Sequence, residues 1–155
     1  MDDRRLVQQV RAAMEAAFCQ LDGAAVTEEP GGRVLASWRA WVAVATARIS
    51  TDGLPVVDVD FAHRQSGWQP PQEREPLRDV AALLRALGSA VDAMRAFAVV
   101  YFGAASDRLA RLYRSWLERR PGQWRQLGFS VFMVGPAPTA SEGLWEAWRR
   151  ACRDE

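Results

Sequence analysis

Asp58, Asp60 and His63 stand within one short stretch, STDGLPVVDVDFAH from Ser50 to His63, and His63 is the only histidine of the chain. Two carboxylates and an imidazole are the groups that a divalent metal, or a general acid and base, would recruit. Read as a strand, this stretch sends residues 58 and 60 to one face and residue 63 to the other, unless a bulge intervenes near Ala62. A catalytic metal site draws further ligands from elsewhere, and no second cluster of Asp, Glu or His can be nominated. The expectation is therefore two solvent-side aspartates on a half-buried strand, with no metal and no cofactor. A metal-dependent enzyme centred on Asp58 and Asp60 is the alternative that this motif leaves open.

Other chemistries find less to work with. Cys19 and Cys152 are the only thiols. Neither has a sequence neighbour that would lower its pKa, and two cysteines make no disulfide framework. YFGAASDR places Gly103 and Ser106 at a strand-to-helix turn but lacks the lysine and glycine spacing of a phosphate-binding loop, so it reads as a capped turn.

The chain has 20 basic residues, 19 acidic residues and a formal net charge of +1. Every basic residue is arginine, which with the abundant alanine points to a GC-rich, bacterial genome. No overall field steers the protein to nucleic acid or to a membrane surface. Arg108, Arg111, Arg114, Arg119, Arg120, Arg149 and Arg150 nevertheless concentrate positive charge in the C-terminal half. With Trp124, Trp145 and Trp148 they would suit a groove that tracks phosphates and stacks bases. Against this stands the bland reading of solvated helix faces whose charges pair with Glu118, Glu146 or Asp154.

Seven tryptophans in 155 residues are many, and tryptophan and arginine dominate interface hot spots. Trp68 lies in the proline-rich loop Arg64–Pro76. Trp124 follows the helix-ending Pro121-Gly122 and neighbours Arg125. Trp68, Trp124 and Arg125 are the partner-contact residues this pattern nominates.

The elements that must position these residues follow from periodicity. Val7, Val10, Met14, Ala17 and Leu21 form one helical stripe, and Leu77, Val80, Leu84, Leu87, Val91 and Met94 form a second, cleaner one. A third helix carries Leu109, Leu112, Tyr113, Trp116 and Leu117, and a fourth follows a capping-box pattern of Thr139 with Glu142. Val34–Ser50 fits strand or helix. Asp52-Gly53 marks a hairpin, and a two-residue turn there sets Arg48 opposite Val57 and Thr46 opposite Val59. One face would then collect Val42, Val44, Thr46, Val57, Val59 and Phe61. Ala96–Gly103 and the run GFSVFMVG are further strands, parallel to one another if a right-handed crossover joins them.

The expected fold is a single two-layer α+β domain over residues 1–155, in the order α-β-β-α-β-α-β-α, with a small, mostly antiparallel sheet covered by helices. Without a secretory signal or a bilayer-length apolar run, the chain is expected to be cytoplasmic. The expected function is a non-enzymatic protein-interaction module: an adaptor, assembly subunit or inhibitor of a partner protein. A nucleic-acid-binding component is the alternative.

Overall fold

The segment Val34–Ser50, ambiguous by propensity, folds as two β-strands that follow a further strand at Ala25–Glu29. The side chains of the two alternate between buried and half-exposed, and short turns separate the three strands at Pro30–Gly32 and at Arg39-Ala40. The structure is a computed structural model that describes residues 2–63, 77–103, 107–119, 124–128 and 131–153. For residues 61–63, 77, 78, 80 and 107–109 only the backbone is described. The proline-rich loop with Trp68 lies outside the described residues.

In chain order the elements are α1 (Asp3–Phe18), β1 (Ala25–Glu29), β2 (Arg33–Trp38), β3 (Trp41–Ile49), β4 (Pro55–His63), α2 (Leu77–Met94), β5 (Val99–Gly103), α3 (Asp107–Glu118), β6 (Trp124–Leu127), β7 (Val131–Val134) and α4 (Glu142–Arg153). All seven strands join one sheet in the order β1-β2-β3-β4-β5-β7-β6. The α+β class and the mostly antiparallel sheet are as the sequence predicts. Three strands are additional: β1, the division of one expected strand into β2 and β3, and β6.

The parallel pairing falls elsewhere than expected. β4 and β5 are parallel and are joined through α2, whereas β5 and β7 are antiparallel. The reason is β6. After α3 the chain lays down this outer strand first, and β7 returns beside it as its antiparallel partner, so β7 enters the sheet in the opposite sense to β5.

The hairpin at Asp52-Gly53 is present, with its register shifted by one residue. Ser50 N donates to Leu54 O at 2.8 Å, Gly53 N donates to Ser50 O at 2.9 Å, and Gly53 has a φ of +81°. These contacts close a three-residue loop whose last residue is left-handed, instead of a two-residue turn. Arg48 therefore pairs with Val56, Thr46 with Asp58 and Val44 with Asp60. A one-residue slip exchanges the faces of a whole strand. Ala43, Ala45 and Ala47, rather than Val42, Val44 and Thr46, share a face with Val57 and Val59.

That face holds the main core. Leu6, Val10 and Met14 of α1, Leu83, Leu87 and Val91 of α2, and Tyr113 and Leu117 of α3 pack with Val34, Val57, Val100, Phe102 and Phe132. The small alanines of β3 let α1 approach the sheet closely. The opposite face holds a smaller core, in which Leu144 and Trp148 of α4 pack on Val99 and Met133. Ser141 caps α4, its Oγ accepting from Leu144 N at 3.3 Å. The capping serine thus stands two residues beyond the predicted Thr139.

Arg95, just beyond α2, is almost fully buried and joins two linkers. Its guanidinium donates to Gly135 O at 2.6 Å and Pro136 O at 3.2 Å, while its own carbonyl accepts from Ala137 N at 3.0 Å. Arg39, left-handed at φ 55° in the β2–β3 turn, stacks on Trp38 and reaches the buried carboxylate of Asp79 at 2.6 Å. This contact ties the turn to the start of α2.

Candidate functional site

Strand pairing aligns residues in rows across the face that carries α4. One row runs Arg33, Thr46, Asp58, Tyr101, Met133 and Arg125 across β2, β3, β4, β5, β7 and β6. The next runs Leu35, Val44 and Asp60, and Asp60 lies against Gly103 of β5. Ser37 and Val42 pair in the row beyond. Helix α4 occupies the β5-β7-β6 end, where its core takes in Tyr101 and Leu127. Over β1 to β4, no helix among the described residues packs on this face. Leu35 and Val42 are half-buried and Val44 is 4% exposed, yet all three belong to neither core.

Asp58 and Asp60 share this face, as strand alternation requires, but their surroundings differ. Asp58 is partly exposed, and its Oδ2 meets Arg48 Nε at 3.2 Å. Asp60 sits between Val44 and Gly103, and no hydrogen bond or ion pair satisfies its carboxylate among the described residues. Burial pushes the Asp60 carboxyl above the ordinary aspartate range, and the like charge of Asp58 adds to the effect. Tyr101, beside Asp58, is likewise raised by burial, with Arg48 opposing and Asp58 reinforcing the shift. The phenol of Tyr113 is pushed far up by burial, and the Asp60 charge adds to this.

The backbone of His63 pairs with Trp41 at the end of β4, with no bulge between Pro55 and His63. Its side chain lies outside the described part. Among the described residues, no three His, Cys, Asp or Glu side chains converge as metal ligands. Cys19, just beyond α1, is exposed and Cys152 of α4 is half-buried; the two helices pack on opposite faces of the sheet, and both residues are free thiols.

Trp124 and Arg125, neighbours in sequence, point to opposite faces. Trp124 opens strand β6 and does not lie in a loop. Its ring packs 6.1 Å from Phe132 at the margin of the main core. Arg125 turns the other way and donates to Ala151 O of α4 at 2.9 Å. The pair therefore does not make one patch.

The arginine sets divide in the same manner. Arg111, Arg114 and Arg119 are exposed on or just beyond α3, on the main-core side, and Arg114 pairs with Glu118 at 3.3 Å. Arg149 and Arg150 are exposed on α4, on the other side, and Arg149 pairs with Glu142 at 2.8 Å. The structure does not bring the two sets into a single groove. Arg120 and the Arg108 side chain lie outside the described part.

An open cleft of about 540 Å³ lies between the start of α1 and the β1–β2 turn. Its charged lining mixes Asp3, Glu28 and Glu29 with Arg4 and Arg48. With both signs present, the cleft selects neither an anion nor a cation. No helix among the described residues is long and apolar enough to cross a membrane.

No protein-family model matches the chain, and no curated protein matches it.

Leu35, Val42, Val44 and Gly103 were not legible as site residues in the sequence. Their grouping depends on the hairpin register, and the two-residue turn assigns Val42 and Val44 to the core. The three-residue loop reverses that assignment.

Proposed function

We propose that this protein is a non-enzymatic interaction module, an adaptor, assembly subunit or inhibitor that binds a partner protein. The observation that carries the proposal is the unequal dressing of its sheet. Among the described residues three helices pack on one face, while a single helix packs on one end of the other, leaving the half-buried Leu35 and Val42 outside both cores. Apolar side chains grouped on a sheet face and rimmed by Arg33, Arg48, Asp58 and Asp60 have the make-up of a protein contact surface, an apolar centre within a polar rim.

The test is co-purification of the chain at native expression level, with Leu35→Lys and Val42→Lys as paired variants. Both positions are half-buried, so lysine can turn its charged end to solvent without unfolding the domain. A stoichiometric protein partner that the wild type retains, and that both variants lose while keeping their unfolding temperature, supports the proposal. Retention by both variants, or material removed by nuclease, contradicts it.

A further inference from the structure

We infer that the segment received on this sheet face presents an arginine or lysine side chain to Asp60, flanked by aliphatic residues that cover Leu35 and Val42. The inference rests on the interaction reading above and names the chemistry of the partner. Three features of the face lead to it.

First, of the two carboxylates that β4 turns to this face, Asp60 is the one that lacks a compensating group among the described residues. Asp58 has Arg48 at 3.2 Å, whereas Asp60 has neither ion pair nor hydrogen bond among the described residues. Second, the residues that flank it on the adjoining strands, Val44 and Gly103, carry no polar side chain. Val44 flanks it on β3, and on β5 the missing side chain of Gly103 accommodates the carboxylate, because a Cβ at 103 would stand 2.9 Å from Oδ1. A carboxylate so placed is poorly hydrated, and a cation from outside is the group that would complete it. Third, among the described residues the adjoining half-buried Leu35 and Val42 belong to neither core, so a complementary segment needs aliphatic surface beside its charge. The raised Asp60 carboxyl agrees with this geometry. Burying the pair together replaces weak solvation with a charge-assisted hydrogen bond, an arrangement that favours specificity for a basic residue over a neutral one.

The probe is a displayed library of random dodecapeptides selected on the folded full-length chain. Peptides that bind the wild type are then measured against Asp60→Asn, Gly103→Ala, Asp58→Asn and Leu35→Lys. The expected result is enrichment of Arg or Lys beside aliphatic residues. Affinity should weaken by at least about tenfold for Asp60→Asn. Gly103→Ala, which displaces the carboxylate without removing it, should also weaken binding, and Asp58→Asn should have a much smaller effect because Arg48 already engages that group. Peptides that bind wild type and Asp60→Asn equally, yet fail on Leu35→Lys, would overturn the basic-residue inference and leave the interaction face standing. Peptides indifferent to Leu35→Lys, or no enrichment at all, would overturn both.

Discussion

The Asp60 carboxylate fills the space left by the absent side chain of Gly103, so that an alanine Cβ there would lie 2.9 Å from Oδ1. β5 ends at this glycine, and the row Leu35–Val44–Asp60 ends against it. Gly103 lacks the positive φ found at the turn glycines. Space for a neighbouring carboxylate, not backbone freedom, accounts for glycine at this position.

Removing the charge at 60 should therefore stabilise the fold. Asp60→Asn keeps the shape and eliminates a poorly solvated carboxylate, and is expected to raise the Tm at neutral pH by roughly 2 °C. The pH dependence has a definite sign. An acid whose pKa is raised on folding holds its proton more tightly in the native state. Wild-type stability should thus fall as pH rises from the ordinary aspartate range through the raised folded value. The advantage of Asp60→Asn should shrink as the pH is lowered through the same window. Thermal unfolding of both proteins across that range checks this, and an advantage that grew on acidification would contradict it.

Two glycines of similar backbone conformation should respond very differently to alanine. Gly32 and Gly53 have φ of +76° and +81°. Gly53 faces open space, so Gly53→Ala should cost only the left-handed backbone penalty, about 1 kcal/mol. A Cβ at Gly32 would run into the Ala47 carbonyl oxygen, whose residue also donates its N–H to Gly32 O at 2.8 Å. Gly32→Ala should cost about 3 kcal/mol or more. Denaturant unfolding of the two variants separates the predictions, and equal losses would show that the β2–β3 contact is looser than described.

How much of this was legible in the sequence turns on small features of turns. Among the described helices, α1, α2 and α3 stand where apolar spacing puts them, because a 3.6-residue stripe survives any choice of partner, and α4 follows its capping signal. Asp52-Gly53 marks the hairpin, yet one additional loop residue reverses the faces of β3, and composition does not encode that residue. The alternation of Ala43, Ala45 and Ala47 with Val42 and Val44 offers no correction, since alanine is apolar on either face. Arg39 hides the β2–β3 turn, being a left-handed residue that is neither glycine nor asparagine. β6 was hidden because WRQL alternates for only four residues after Pro121-Gly122. Asp58 and Asp60 were legible as a shared face, while the difference between them depends on Arg48 and Gly103, which only the pairing of β4 with its two neighbours brings close.

Arg95 should matter more to stability than its place in a linker suggests. Arg95→Met keeps the aliphatic stem and removes the donors to Gly135 O and Pro136 O. Leaving these carbonyls without their partner should cost about 2 kcal/mol. Burial lowers the pKa of this guanidinium, but arginine stays charged at any pH at which the protein folds, so the loss should be the same at pH 6 and pH 9. Urea unfolding at both values tests it, and a neutral substitution would mean that water replaces the guanidinium.

The most direct test of the central claim is site-specific photo-crosslinking in the cells that express the protein. A benzophenone amino acid is placed at Leu35 or Thr46 on the sheet face, or at Arg111 on the exposed surface of α3. The account predicts that positions 35 and 46 crosslink to the same partner protein, that Asp60→Asn diminishes this product, and that position 111 does not form it. Crosslinking at position 111 with none at 35 or 46, or no protein product from any of the three, would contradict it.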